Sequence, residues 1–323
     1  MQHSFIFFLA FHLVQSKNAN ITLLTEWPMI MAHDAATTYL PSGLINDFTK
    51  TQQDGGISGL LNCGARAFDW RPLLQADGSI IMHHGSILID HPMNDVMEEL
   101  LNWVGTHKNG ASDLVILGIT RCSNSIGKNT KCVAAVETLL TNYNISVVTV
   151  KELITMTASD ATAHGKQQNG GSVIACLDCW TGNWNRTIAC SGFGSGKSDS
   201  ELELELESES EESLMYTCYA DSSTKAAPLN RMWEYLSNVV KKGPTEDGLW
   251  TAQALWEETD ASVVVGLLHG SSLLKDETKS TLNTLVKRRI VSGLWNISKL
   301  NMIELNNVCD GGLALKEILD AII

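Results

Sequence analysis

The stretch "GARAFDWRPLLQADGSIIMHHGS", residues 64–86, holds two short apolar runs, "ARAFDWR" (65–71) and "SIIMHH" (79–84), bounded by Gly, Pro and Asp-Gly. Runs of this length between turn residues read as strands. The first ends on Asp69 and Arg71, the second on His83-His84, and an earlier run, "PMIMAH" (28–33), leads into His33-Asp34. Their near-continuous apolar character, without a clean in–out alternation, argues for strands covered on both faces, as in a parallel sheet. Working outward, the same signature recurs at 113–120, 146–150, 172–178, 261–269 and 301–306. Helix-period segments lie between several of them, such as "MNDVMEELLNWVGTH" (93–107) and "CVAAVETLLTNY" (132–143). Eight such strands in 323 residues predict an α/β fold, a single-domain and distorted TIM (β/α) barrel, with an open doubly wound sheet as the alternative.

The net charge of −13 excludes a nucleic-acid backbone as an expected partner. Most of that charge is local. "KSDSELELELESESEES" (197–213) holds seven Glu and one Asp against one Lys, a net −7, and follows a Gly/Ser-rich stretch. Residues 192–213 therefore read as an acidic low-complexity insert in a barrel domain spanning 17–323. "GFGSGKS" within it is no phosphate loop, because Ser191 stands where the first glycine is required.

Residues 5–14 form a ten-residue apolar run broken by His12, followed by small residues, so 1–16 are expected to be a secretory signal. A buried first helix is the other reading. No stretch approaches the 18 apolar residues of a membrane span. Four sequons, at Asn20, Asn144, Asn185 and Asn296, and an even count of eight cysteines fit export into an oxidising compartment. Cys176 and Cys179 have metal-like spacing, yet no second ligand pair stands nearby, so disulfides are expected. Cys122 and Cys132 flank a polar loop that they could close. Pairing among Cys176, Cys179, Cys190 and Cys218 is left open.

Barrel enzymes carry their chemistry at the C-terminal ends of strands. His33-Asp34, Asp69/Arg71 and His83-His84 fall there on what would be three successive strands. Residues two apart share a face, so Asp69 and Arg71 point one way, and only one of His83 and His84 can enter the site. Two imidazoles and one guanidinium suit cleavage of a phosphodiester. Arg binds phosphate oxygens with a planar fork, one His takes a proton and the other gives one. His91, His107, His164 and His269 read as structural.

"AHDAATTYL", "GARAFDWRP" and "IIMHHGSILI" resemble the X region of the phosphatidylinositol-specific phospholipase C family, most closely its bacterial, metal-independent members within the phospholipase-C-like phosphodiesterases. The resemblance is strong over residues 25–120 and thin beyond. It implies a distorted TIM barrel and cleavage of phosphatidylinositol, or of a glycosylphosphatidylinositol anchor, to diacylglycerol and inositol cyclic phosphate. His33 would be the general base, His84 the general acid held by Asp34, Arg71 the phosphate ligand, and Asp69 the carboxylate beside it. The acidic set of calcium-dependent members is absent, Arg71 standing in its place, so no metal cofactor is expected.

The resemblance also has departures. The last strand offers Asn306 where the family has an Asp that partners the base, with Asp310 a few residues on as a substitute. Arg121, Asp178 and Asp221 fall near positions that would contact the headgroup, Asp178 replacing an Arg. A secreted, peripherally membrane-associated monomer acting on an inositol lipid or anchor is the leading expectation. The alternatives are a metal-dependent enzyme of glycerophosphodiesterase type and a catalytically weakened lipid-binding module.

Overall fold

The computed structural model describes residues 17–177 (apart from 44, 45, 121, 125, 126 and 129), 184–188, 236, 237, 240, 241, 249–255, 270 and 272–322. Among the described residues thirteen strands are formed: β1 (Met29–Ala32), β2 (Ala65–Trp70), β3 (Pro72–Leu74), β4 (Ile80–His84), β5 (Ile87–Ile89), β6 (Leu114–Ile119), β7 (Ser123–Asn124), β8 (Gly127–Lys128), β9 (Ser146–Val148), β10 (Ser172–Leu177), β11 (Trp184–Ile188), β12 (Leu249–Gln253) and β13 (Met302–Leu305). Eight of them make one sheet in the order β11-β12-β13-β1-β2-β6-β10-β9, and every pairing in it is parallel.

This is the expected α/β architecture, a distorted barrel. The distortion has two parts. Among the described residues β9 and β11 do not pair, so the barrel is not closed on that side. In addition, β10 sits between β6 and β9, which breaks sequential winding. Insert 192–213 and segment 1–16 lie outside the described residues, as does the predicted strand 261–269. The sheet instead contains β12, which no sequence signal singled out.

Strands β1, β6, β10 and β13 and the start of β2 are largely apolar because both faces are covered. Ile30, Ala32, Phe68, Trp70, Val115, Leu117 and Leu305 pack outward, against residues such as Leu60, Val96, Leu100 and Val136 of the helices Gly56–Asn62, Met93–Thr106 and Thr130–Asn142. Their alternates Met29, Met31, Ala67, Ile116, Ile174 and Met302 pack on the other face with Leu24 and Trp27. Among the described residues no helix is long and apolar enough to cross a membrane.

One strand does not belong where the sequence reading put it. The run 79–84 forms β4, but β4 pairs antiparallel with β3 and β5 in a second, five-stranded sheet ordered β5-β4-β3-β7-β8. Chain length is the reason. A parallel neighbour needs a crossover of about a dozen residues, whereas only nine separate Trp70 from Ile80, and the turn there uses Gly78 at φ 89°. His83 and His84 thus arrive on a hairpin, not on a third barrel strand.

Two disulfides between described residues fasten this frame. Cys122–Cys132 closes the polar loop as expected, and Cys63–Cys309 joins the end of the helix Gly56–Asn62 to the segment after β13, 246 residues away in sequence. Cys63→Ser with Cys309→Ser is expected to lower the unfolding free energy by about 2–5 kcal/mol. Urea titrations of the oxidised protein and the double variant would measure it.

Candidate active site

The two-residue period of the strands builds the site. On the face that carries Met29 and Met31 the next position beyond β1 is His33. Ala67 is followed by Asp69 and then Arg71 at the end of β2, Ile116 by Gly118 and Thr120 beyond β6, and Met302 by Glu304 and Asn306 beyond β13. The apolar interior therefore turns polar at the C-terminal ends of adjacent strands, where the backbone geometry brings these side chains together.

Asp34 enters from a different direction. Its backbone is left-handed (φ 41°), a conformation more accessible to Asp than to most residues. That turn lets His33 and Asp34, adjacent in sequence, face the same pocket. The backbone there is braced by Gln52, whose Nε2 donates to the carbonyls of His33 and Leu305 at 2.9 Å each, while Thr51 Oγ1 donates to His33 O at 2.9 Å.

At the centre lies a buried charge cluster. Arg71 Nε is 2.7 Å from Asp34 Oδ1, and its Nη2 donates to Asp69 Oδ2 at 2.7 Å. Thr120 Oγ1 donates to the other Asp69 oxygen at 3.2 Å. Burial alone would push the Asp34 carboxyl up, but Arg71, His84 and His33 outweigh it and hold that group well below its ordinary value. Burial works against the Arg71 cation too, and Asp34, Asp69 and Glu304 overcome it, so the guanidinium is held charged.

The two imidazoles flank this cluster in different states of hydrogen bonding. His84 Nε2 is 3.0 Å from Asp34 Oδ2 and its Nδ1 is 2.9 Å from the Thr49 carbonyl, two acceptors that are both satisfied only when both ring nitrogens carry hydrogen. His33 Nδ1 is 2.9 Å from Asn306 Oδ1, and its Nε2 lies 3.5 Å from Arg71 Nη2 and 3.3 Å from Asp34 Oδ2. His83 points the other way, toward the Gly85 carbonyl and Ser123 Oγ. One of the pair enters the site, as the strand period requires.

His33, Asp34, Asp69, Arg71, His84 and Asn306 are thus gathered in one place. Asp310 is not with them. It sits in the turn before the helix Gly312–Ile322, where its amide donates to the Asn307 carbonyl, and Asn306 is the residue that reaches the His33 ring. Arg121, Asp178 and Asp221 lie outside the described residues. His91 stacks on Tyr39 and His107 on Trp103, in keeping with their structural reading.

Sequence reasoning missed Glu304 and Glu277. Glu304 is fully buried, beside Gln253, and its position two residues before Asn306 in an apolar strand was an available signal. Glu277, 2% exposed, accepts from Asn306 Nδ2 at 3.0 Å. His33, Asp69 and Glu304 bring three ligand-type atoms within 4.8 Å of one another, so a divalent cation has a set of donors here. Such an ion would compete with Arg71 for Asp69.

Comparison of this fold with solved structures finds the phosphatidylinositol-specific phospholipase C of Staphylococcus aureus, in a mutant form, at TM-score 0.59 and 12% identity, covering 95% of each chain. The enzyme of that name from Listeria monocytogenes matches at TM-score 0.57 and 11% identity, over 93% of this chain and 95% of its own. Another S. aureus structure, from work on modulation of that enzyme's membrane binding, matches at 0.57 and 12% over 94% of each. At these identities the likeness is one of fold, and it spans nearly the whole chain. No protein-family model matches the sequence, and no curated protein sequence matches it.

The depressed Asp34 carboxyl carries a signed pH dependence. Its contribution to stability is fully present above the ordinary carboxylate range, about pH 4, and is lost as pH falls toward the folded-state value. Asp34→Asn breaks a buried pair and is expected to cost about 3–5 kcal/mol at pH 7. The gap between variant and wild type should then narrow below about pH 4. Urea unfolding from pH 7 to pH 3 would measure both.

Proposed function

We propose that this protein is a secreted phosphodiesterase that cleaves phosphatidylinositol or a glycosylphosphatidylinositol anchor to a diacylglycerol and an inositol cyclic phosphate. The observation that carries the reading is the gathering of His33, His84 and Arg71 around the one Asp34 carboxylate, within a fold shared by bacterial enzymes of that name. The Nη1 edge of Arg71, which makes none of the bonds to Asp34 and Asp69, would meet the phosphate oxygens. His33 Nε2 would take the proton of the inositol 2-hydroxyl as that oxygen attacks phosphorus. The P–O bond to the diacylglycerol would break in the same step, and His84 would protonate the departing oxygen. Because the nucleophile belongs to the substrate, the attack gains an effective molarity of roughly 10⁵ M or more. Asp34 holds His84, and the guanidinium is fixed before substrate arrives, so no reorganisation is required as charge develops.

Arg71 supplies the positive charge at phosphorus, and the reaction is proposed to need no metal. A monomer acting at a membrane surface, entering and leaving it peripherally, fits a substrate of this kind. Export is supported by the two disulfides and by the exposure of the sequon residues Asn20, Asn144 and Asn296. The second reading is a metal-dependent phosphodiesterase of glycerophosphodiesterase type, favoured by the cluster of His33, Asp69 and Glu304 and opposed by the Arg71–Asp69 pair.

Phosphorus NMR of phosphatidylinositol vesicles incubated with the protein in excess chelator tests the proposal. Inositol cyclic phosphate is expected to form, with His33→Ala lowering turnover by about 10²–10⁴-fold. Loss of activity in chelator and its return with divalent metal would move the assignment to the second reading.

A further inference from the structure

Asn306 can hold His33 in two ways, and they have opposite chemical consequences. With Oδ1 toward the ring, Nδ1 carries the hydrogen and Nε2 keeps the lone pair. With the amide turned over, Nδ1 would have to accept, Nε2 would carry the hydrogen, and the base would face away from the pocket. Something must choose. The Asn306 side chain lies between the His33 ring, at 2.9 Å from its oxygen, and the Glu277 carboxylate, at 3.0 Å from its nitrogen. Glu277 projects from the helix Leu273–Ser280 and is buried, as is Asn306. The Glu277 Oε1 accepts from the amide nitrogen, which turns the amide oxygen to His33.

We propose that Glu277 is a positioning residue for the base, acting through Asn306 to fix His33 as the Nδ1–H tautomer with Nε2 open to the substrate. Around Nε2 the contacts are of both kinds. Arg71 Nη2, which can only donate, lies 3.5 Å away and matches an unprotonated nitrogen. Asp34 Oδ2, 3.3 Å away, can accept once that nitrogen has gained a proton, so the choice of tautomer falls to the Nδ1 side. The Asn306 main chain is also held in place, because Asn283 Nδ2, from the helix Leu282–Val291, donates to the carbonyls of Asn306 and Asn307 at 3.0 Å each, while Asn307 Nδ2 donates to Thr278 Oγ1 of the helix that carries Glu277. The backbone is pinned on both sides, so the amide orientation is the remaining degree of freedom, and Glu277 sets it. The inference rests on the proposed role of His33, but the tautomer itself is a property of the folded protein and can be read without turnover.

The test combines a spectrum with a mutant cycle. Nitrogen-15 NMR of the ring of His33, assigned against His33→Gln, is expected to show the Nδ1–H tautomer near neutral pH. Glu277→Gln, which keeps the shape but can offer either a donor or an acceptor, should mix the two tautomers. In the cycle, Asn306→Asp places a carboxylate directly on His33 but beside Glu277, where like charges oppose each other. That variant should lose activity, and adding Glu277→Gln should restore it by about 10-fold or more, because the new amide can donate to the new carboxylate. A purely structural Glu277 would make the two losses multiply instead, which would overturn the proposal. An Nε2–H tautomer in the wild-type protein would overturn it even if the variants failed to fold. If no phosphodiester is cleaved at all, the function fails while the tautomer comparison still decides the role of Glu277.

Discussion

The site depends on a guanidinium taken out of water. Arg71, Asp34 and Asp69 are each no more than 6% exposed, and none of the three is tolerable there without the others. Desolvation makes the ions expensive individually, while the contacts at 2.7 Å on two edges of the guanidinium offset that cost only if both carboxylates are in place. Each requirement then propagates outward. β2 must end where Asp69 and Arg71 share a face. β1 must turn through a left-handed Asp34, and the β4–β5 hairpin must bring His84 to the second Asp34 oxygen. The Gln52 amide, bonded to the carbonyls after β1 and at the end of β13, keeps two of these strand ends in register.

How much of this the sequence announced depends on the range of the interaction. Asp69 and Arg71 were legible because their place follows from a local rule, the alternation of strand faces at the end of an apolar run. His33 was legible because it stands where such a run turns into its loop, whereas Asn306 was reached only through the family resemblance. The position of His84 was legible in type but not in architecture. The apolar run of β4 looks like a barrel strand, and only the short connection from β2 excludes it. Glu304 was legible in principle, being a lone charge in an apolar strand. Glu277 was not, since "KDETKS" resembles any solvated helix face, and its burial arises from tertiary packing against the Asn306-Asn307 backbone. β12 was hidden for a similar reason. "LWTAQ" has polar residues that are buried only because this strand lies beside β13, with Gln253 meeting Glu304.

The covalent frame bears on the same strand ends. Cys309 follows β13 by four residues, so the bond to Cys63 anchors the segment that carries Asn306 against the helix Gly56–Asn62. β13 is also the strand whose partner, β1, carries His33, in register from Met29–Met302 to Ala32–Leu305. The long-range closure of the chain and the contact between His33 and Asn306 are therefore one geometric problem, solved by parallel pairing and a crosslink at its end.

An amide at position 306 has an electrostatic logic within this pocket. Asp34, Asp69 and Glu304 already surround a single guanidinium, and the proposed substrate brings a further negative charge. A carboxylate in direct contact with His33 would strengthen the base but add to that negative field close to phosphorus. With Asn306 in between, the orienting charge of Glu277 stands one hydrogen bond further back, and the ring keeps its tautomer through a neutral contact. Coulomb interaction weakens with distance while hydrogen-bond direction is passed on undiminished, so the arrangement separates the two tasks that a direct carboxylate would combine. The cost is a less stabilised imidazolium, which in this chain is met in part by the Asp34 oxygen 3.3 Å from His33 Nε2. The same Asp34 oxygen contacts His84. On the proposed mechanism one carboxylate thus faces both the nitrogen that gains a proton and the nitrogen that loses one, and the charge that moves between the two rings stays beside a single fixed anion throughout.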